Sequence, residues 1–177
     1  RADLVVADVQ HRLGQDDPAG DGRAEKGRDD QRWAQDGADG GLVLVLAQRG
    51  IGEVGVAMPH GWTEGMASRL RRVTKRKIVV RQHPGIHEPP PEPDWANVWA
   101  VITWNSGAAI KSIVSGIPVF YEFPKWIGGS AARFGIDNIE HPYLGDRLPM
   151  LHRLAWAQFS AEEIATGEPI ANLLDHL

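Results

Sequence analysis

The residues with the clearest chemical potential lie in short turns that follow apolar runs. Asn105, Ser106 and Gly107 come directly after one such run and just before a segment with helical spacing. Asn and Ser are preferred helix caps, and a helix N-terminus offers backbone N–H groups and a positive dipole end to an anion. Gly107 lets a ligand approach the backbone closely. The turn therefore predicts a phosphate site, although a capped helix without a ligand is the simpler interpretation when the turn is taken alone.

A second turn, His83-Pro84-Gly85, also follows an apolar run. Histidine can donate a hydrogen bond to a phosphate or exchange a proton near neutral pH. We therefore treat His83 as the candidate catalytic residue, with Pro84 and Gly85 as candidate substrate-binding residues. A lone histidine in a turn is more often structural, so this hypothesis depends on what lies beside it.

The other candidate substrate-binding residues also lie near the ends of apolar runs. Arg49 and Arg81 are suited to pair with a diphosphate, because a guanidinium group matches phosphate geometry in a bidentate way. Each is equally compatible with an ordinary surface charge. Gly50 next to Arg49, Lys111 in the following predicted helix and Glu122 after the fourth apolar run complete the set.

Alternating strands and helices should bring these turns together. Continuous apolar runs predict strands buried on both faces of a parallel sheet, at residues 42–47, 77–81, 98–104 and 117–121. Helical spacing predicts helices, at residues 62–73 and 107–115, with Gly116 ending the second. The carboxyl ends of parallel strands meet at one edge, where ligands of open α/β folds bind. The sequence thus predicts an α/β fold, a Rossmann-like parallel sheet with flanking helices.

The two ends of the chain depart from this pattern. Residues 1–40 hold few large apolar side chains, so they cannot repay their ordering entropy by burial. We predict that residues 1–40 form a low-complexity polar arm, disordered or loosely attached, before a single Rossmann-like domain at 41–177. Within the arm, the short apolar segment Leu4–Val6 could alternatively add an edge strand to the sheet. Near the other end, Ser160 and Glu163 form a capping box, with Gly167 ending the helix.

Composition excludes several classes of protein. The 177 residues include no cysteine, which excludes disulfides and thiolate zinc sites and leads us to expect a cytoplasmic location. No stretch approaches the roughly 20 apolar residues of a membrane span. The formal net charge of −4 makes nucleic acid an unlikely partner. Only the basic run at 69–81 offers a local patch, and helical spacing spreads its charges around a solvated face.

Motifs for several other chemistries are missing or out of place. The chain has no Walker-type Gly-Lys-Ser/Thr and no glycine two residues before Ser106 for a nucleophile elbow. Gly50, Gly52 and Gly55 have the spacing of a dinucleotide fingerprint, but they stop short of the predicted helix at 62–73, which that fingerprint should open. No Asp-x-Asp pair follows Gly41, and the one His-x-x-x-His spacing after it, His83 with His87, contains a Pro-Gly turn instead of a helix. We therefore expect no metal and no cofactor, so that arginine, histidine and a helix dipole would neutralise a bound diphosphate.

Three segments together resemble a known family: RQHPG at 81–85, AVITWNSGAAIKSIVSGIPV at 100–119, and LAWAQFSAEEIATG at 154–167. They are similar to the carboxyl-terminal, donor-binding half of GT-B glycosyltransferases, especially capsule-polysaccharide and sialyltransferase-like enzymes, and phage-encoded relatives look closest. The resemblance spans about residues 41 to 167.

The resemblance implies a UDP- or CMP-sugar donor, a glycan or other acceptor, and a second chain or further domain that completes the cleft. It also implies that His83 and Pro84 contact the nucleotide phosphate, while Asn105, Ser106 and Gly107 cradle the phosphates or the sugar. Three alternatives stay open: a non-catalytic or truncated donor-binding remnant, an enzyme like the nucleotide-sugar 2-epimerases, and a phage DNA-modifying protein.

Overall fold

A computed structural model describes residues 41–85, 91, 93–156 and 159–174 of the chain. These residues fall into two compact units, a sheet unit at 41–147 and a helical unit at 148–174. The predicted polar arm at 1–40, including the alternative strand at Leu4–Val6, lies outside the described residues.

The sheet unit is an α/β structure of the Rossmann-like kind, as the sequence predicts. Its described residues form five strands: β1 (Leu42–Leu46), β2 (Ile78–Arg81), β3 (Val98–Thr103), β4 (Val119–Tyr121) and β5 (Arg133–Phe134). They also form two α-helices and two 3₁₀ turns: α1 (Trp62–Val73), α2 (Ala108–Val114), Trp95–Asn97 and Gly129–Ala131. Four of the strands and both helices correspond to predicted elements, whereas β5 had no counterpart in the prediction.

All five strands are parallel, and their order is β2-β1-β3-β4-β5. This is one of the two common orders of doubly wound sheets. The chain moves outward from β1 to β2, then crosses over β1 to reach β3 on its other side. The loops after β1 and β3 therefore leave neighbouring strands in opposite directions, which opens a crevice at their carboxyl ends.

The packing of the core explains why the central strands appear in the sequence as unbroken apolar runs. Every residue of β3 is buried, because a central strand of a parallel sheet is covered on both faces. On one face, α1 contributes Trp62, Met66 and Leu70, spaced four residues apart, to a cluster that includes Val43 and Ile102. Burying each such side chain contributes about 1.5–3 kcal/mol, so the helix is fixed to the sheet chiefly by this apolar stripe.

Helix α2 ends where the sequence predicts. Gly116 adopts a φ of 79°, and its N–H donates to the Ile113 carbonyl. This left-handed conformation is easy only for glycine. It turns the chain sharply enough for Ile117 to be buried at the approach to β4.

A polar cluster fastens the opposite, amino-terminal edge of the sheet. The Arg76 guanidinium lies over the Trp99 ring, 3.6 Å from its centroid, and forms an ion pair with Glu140 at 2.9 Å. Thr74 donates to the same carboxylate at 2.5 Å, and the Trp99 indole N–H donates to the Ile139 carbonyl at 3.1 Å. The starts of β2 and β3 are therefore tied to the segment after β5.

The helical unit consists of three short helices: α3 (Leu148–Trp156), α4 (Ala161–Thr166) and α5 (Glu168–Leu174). The predicted capping box is present. The Ser160 hydroxyl accepts from the Glu163 N–H at 3.2 Å, the Glu163 carboxylate accepts from the Ser160 N–H at 2.6 Å, and Gly167 ends the helix. No helix in the described part of the chain has both the length and the apolar character to cross a bilayer.

Candidate functional site

An open pocket of about 390 Å³ lies at the carboxyl ends of β1, β2 and β3. It is formed by the long loop after β1 together with one residue from each of the turns after β2 and β3. The lining residues are Gln48, Arg49, Gly50, Ile51, Gly52, Val56, Ala57, Met58, His83 and Asn105. Candidates from three predicted turns, namely Arg49 with Gly50, His83, and Asn105, are thus brought to one place.

The side chains of Gln48 and Asn105 join the two loops that meet at the crevice. The Gln48 amide donates from Nε2 to Asn105 Oδ1 at 2.8 Å, and Gln48 Oε1 accepts from the Asn105 backbone N–H at 3.1 Å. Because Gln48 follows β1 and Asn105 follows β3, this pair of hydrogen bonds closes the floor of the pocket between neighbouring strands.

The outer part of the loop after β1 is held by a single carbonyl. The Val56 carbonyl accepts from Trp104 Nε1 and from Asn105 Nδ2, each at 2.9 Å. Trp104 itself contacts the Trp62 ring edge-on at a centroid distance of 6.2 Å. The loop is therefore anchored to the end of β3 and, through the aromatic pair, to the start of α1.

Gly50, Gly52 and Gly55 all have a positive φ in this loop, and Gly50 is the most crowded of the three. Its φ is 66°, and a Cβ placed there would lie 3.1 Å from the Met58 carbonyl oxygen. A residue with a side chain at position 50 would therefore have a strained backbone, and its Cβ would be crowded by the backbone of Met58. Gly50 lets the loop close on itself beside Arg49.

Arg49 and His83 supply the polar donors of the pocket. Arg49 is exposed and forms no ion pair with any residue that the structure describes. The His83 ring accepts at Nδ1 from the Gly85 N–H at 2.9 Å. This hydrogen bond assigns the proton of the neutral imidazole to Nε2, so that Nε2–H can donate to a ligand.

The polar groups of the turn around Ser106 form hydrogen bonds within the protein. The Ser106 N–H donates to Thr103 Oγ1 at 2.8 Å, the Ser106 hydroxyl accepts from the Ala108 N–H at 3.1 Å, and the Asn105 N–H is engaged by Gln48. Ser106 is half-buried and is not among the lining residues; the neighbouring Gly107 is exposed. Most of the pocket lining therefore comes from the loop after β1, and the turn before α2 contributes Asn105.

Five other sequence candidates, including Glu122, do not line the pocket. Arg81 is half-buried at the end of β2, and Lys111 is exposed on α2. Pro84 is half-buried and Gly85 is exposed in the turn that presents His83. Of this turn, only His83 reaches the pocket.

Glu122 acts as a link between helix and sheet. One carboxylate oxygen accepts from Trp62 Nε1 at 2.8 Å, and the other forms an ion pair with Arg69 at 2.6 Å. The hydrogen bond to Glu122 raises the pKa of Arg69 against the opposing effect of burial. Both oxygens of Glu122 are thus occupied in joining α1 to the end of β4.

The most important residue that the sequence reasoning left out of the site is Gln48. The sequence feature that could have identified Gln48 is its position, directly after a buried strand and next to Arg49. Nothing in the sequence indicates that the apolar residues Val56–Met58 line the pocket, because they lie well beyond β1. Hydrogen bonds to the Val56 carbonyl hold this segment beside Trp104 and Asn105.

The charges of the pocket suit an anion better than a cation. None of the described residues that line it is Asp or Glu, whereas Arg49 brings a positive charge and His83 a further donor. In the described part of the chain, no group of three or more His, Cys, Asp or Glu side chains is placed to hold a metal ion.

Comparisons of the chain with protein-family models, with curated proteins and with solved structures found no match.

Proposed function

We propose that this chain binds the phosphate-bearing end of a nucleotide-sugar, linked to UDP or CMP, and serves as the donor-binding part of a glycosyltransferase. The observation that carries the proposal is the convergence of Arg49, His83 and Asn105 on one pocket at the crevice between β1 and β3. Doubly wound sheets bind nucleotides at this place, and a volume of about 390 Å³ is within the usual range for small-molecule sites.

The two donors suit the charge that develops when a sugar leaves its nucleotide. Breaking the bond between the sugar carbon and the phosphate oxygen leaves the electron pair on that oxygen. Arg49 offers a positive charge and a planar set of N–H donors to the phosphate. His83 offers Nε2–H, which can stabilise the departing oxygen by a hydrogen bond.

Binding without catalysis is the second candidate, and one observation favours it. A transferase must also take a proton from the acceptor hydroxyl, and no carboxylate is present among the described residues that line the pocket. In this alternative, the chain holds the nucleotide-sugar while the base comes from another part of the assembly.

Titration calorimetry and thermal shift with UDP, CMP and their sugars test the proposal on the full chain. A ligand that binds only the folded state raises the melting temperature. We expect Arg49→Gln and His83→Gln to weaken binding at least about tenfold, a loss of about 1.4 kcal/mol each. Arg72→Gln, which removes an exposed cation from α1, is the matched control and should bind like wild type.

The opposite results are equally clear. If no nucleotide or nucleotide-sugar stabilises the chain, or if Arg49→Gln and Arg72→Gln bind equally well, the pocket does not hold a phosphate. Release of free UDP or CMP from the sugar donor separates the two candidates, because binding without any sugar transfer or hydrolysis is the behaviour of the non-catalytic alternative.

A further inference from the structure

Two aromatic residues lie beside the pocket at the carboxyl ends of β3 and β4. Trp104 follows β3 and Phe123 comes shortly after β4, and their ring centroids are 5.9 Å apart at an interplanar angle of 42°. Both residues are half-buried. Neither is among the residues that line the pocket, so the two rings form a separate surface next to it.

Trp104 borders the pocket through a shared hydrogen-bond acceptor. Its Nε1 donates to the Val56 carbonyl at 2.9 Å, and the same carbonyl accepts from Asn105 Nδ2 at 2.9 Å. Val56 and Asn105 both line the pocket. The edge of the Trp104 indole is therefore in direct contact with the pocket wall, and Phe123 extends the aromatic surface toward β4.

The aromatic surface is held in place before any ligand arrives. The Phe123 N–H donates to the Trp104 carbonyl at 3.1 Å, which continues the pairing of β3 with β4 beyond the strands. Trp62 packs edge-on against Trp104 at a centroid distance of 6.2 Å, and its own Nε1 donates to Glu122. A ligand that stacks on the two rings therefore loses little affinity to ordering of the protein.

The strand order sets the direction in which a bound ligand extends. Along the carboxyl edge of the sheet, His83 comes after β2, Arg49 after β1, Asn105 after β3 and Phe123 after β4. Neighbouring strands are about 4.8 Å apart, so the aromatic surface lies roughly 5–10 Å from the crevice between β1 and β3. A pyranose joined to a phosphate in the crevice spans that distance.

Aromatic rings suit one part of a nucleotide-sugar in particular. The negative face of an aromatic ring attracts the slightly positive C–H groups on the face of a pyranose, while the sugar hydroxyls around the rim stay free to meet water or polar groups. The turns that carry the two rings also carry polar side chains, namely the Ser106 hydroxyl in one turn and the exposed Lys125 ammonium in the other.

We infer that Trp104 and Phe123 form the subsite for the sugar of the nucleotide-sugar, and that this sugar is a pyranose whose C–H face stacks on the two rings. The inference rests on the proposed function, in which Arg49 and His83 hold the phosphate, and it assigns the remaining part of the same ligand. By holding the ring, the two aromatic residues orient the sugar carbon at which the bond to the phosphate oxygen breaks.

Phe123→Leu tests the subsite, because leucine keeps an apolar side chain but removes the aromatic face. Calorimetric titrations of the full chain compare UDP with UDP-glucose and UDP-galactose, and CMP with CMP-N-acetylneuraminate. We expect the variant to bind at least one sugar donor about fivefold to tenfold more weakly than wild type, while the affinities for UDP and CMP change by less than about twofold. Phe134→Leu removes an exposed aromatic ring from β5, and as the matched control it should leave all affinities unchanged.

A second measurement uses the wild-type chain. Selective NMR saturation of the aromatic protons of the protein should reach the pyranose ring protons of a bound sugar donor more strongly than the ribose protons of the same ligand. If Phe123→Leu fails to fold, this measurement decides, and saturation that reaches only the nucleoside protons overturns the inference.

Two calorimetric results also overturn the inference while the proposed function stands. One is equal weakening of UDP and the UDP-sugars by Phe123→Leu, because the ring would then support the nucleotide and not the sugar. The other is unchanged affinity for every sugar donor. If the wild-type chain binds none of the nucleotides or nucleotide-sugars, the proposed function falls together with the inference.

Discussion

Gln48 and Asn105, 57 residues apart in the chain, hold each other through two hydrogen bonds that bridge the ends of β1 and β3. The pair fixes the orientation of both amides, since Asn105 Nδ2 is also engaged by the Val56 carbonyl. The floor of the pocket is therefore a preorganised unit, and it responds to small changes in the pattern of donors and acceptors.

Gln48→Glu is the sharpest change to that unit. It replaces the Nε2 donor with an oxygen that faces Asn105 Oδ1, and it places a negative charge next to Arg49. We expect UDP affinity to fall at least about tenfold, and the free energy of unfolding to fall by about 1–2 kcal/mol. Calorimetry and urea unfolding measure the two effects. Asn138→Asp, the equivalent change at an exposed residue of the sheet unit, should leave affinity unchanged; equal losses in both variants would contradict the prediction.

Glu122 and Arg69 should contribute unequally although they form one ion pair. Glu122→Ala removes the acceptor of the buried Trp62 indole N–H, so we expect it to cost about 2–3 kcal/mol in urea unfolding. Arg69→Ala should cost less than about 1 kcal/mol, because the Arg69 side chain is 48% exposed and exposed ion pairs contribute little. Equal costs would mean that the bond from Trp62 adds nothing to stability.

Glu140 should make the protein more sensitive to acid. Burial alone would raise the pKa of Glu140, but the hydrogen bonds from Thr74 and Arg76 and the charge of Arg76 outweigh it and lower the pKa below its ordinary value of 4.5. A depressed folded-state pKa gives stability that is fully present above the unfolded-state pKa and is lost as the pH falls through the folded value. Urea unfolding from pH 7 to pH 3 should show this loss beginning near the ordinary value.

The matched variant for that series is Glu140→Gln. It removes the titrating group but keeps the size of the side chain, so its acid-side loss of stability should be shallower than that of wild type. Parallel pH profiles for the two proteins would show that Glu140 does not contribute to the acid sensitivity.

Arg76→Lys tests the cluster at the amino-terminal edge of the sheet. Lysine keeps the charge but loses the planar stacking on Trp99 and the hydrogen bond from Nε to Glu140. The Arg76 side chain is only 12% exposed, so we expect a loss of about 1–2 kcal/mol in urea unfolding. Arg72→Lys, at an exposed position of α1, should be neutral; a neutral Arg76→Lys would show that the charge alone suffices.

The fold was largely predictable because its strongest signals are local. The apolar runs that became β1, β2, β3 and β4 are long enough to be recognised without knowing their partners, and the periodicity of α1 is visible in one helical face. β5 was missed because two residues, Arg133 and Phe134, carry no pattern of their own. They form a strand only because β4 offers backbone groups with which to pair.

The site was predictable only in part, because its hydrogen bonds join distant residues. The turn chemistry at Asn105 and His83 pointed to the sheet edge at which the pocket lies. Nothing near Ser106 in the sequence shows that Thr103 and Gln48 take up the neighbouring amides. Glu122 was predicted as a binding residue because its partners cannot be seen in the sequence: Trp62 and Arg69 lie some fifty to sixty residues earlier in the chain.

The placement of β1 between β2 and β3 also has a kinetic consequence. α1 can form early from neighbouring residues, but the Gln48–Asn105 contact requires closure of a long chain segment and pairing of β3 with β1. Closing such a segment has an entropic cost that delays long-range contacts in folding. The pocket should therefore form only after most helical signal has been recovered during refolding, and under the proposed function the recovery of nucleotide binding measures completion of the central sheet.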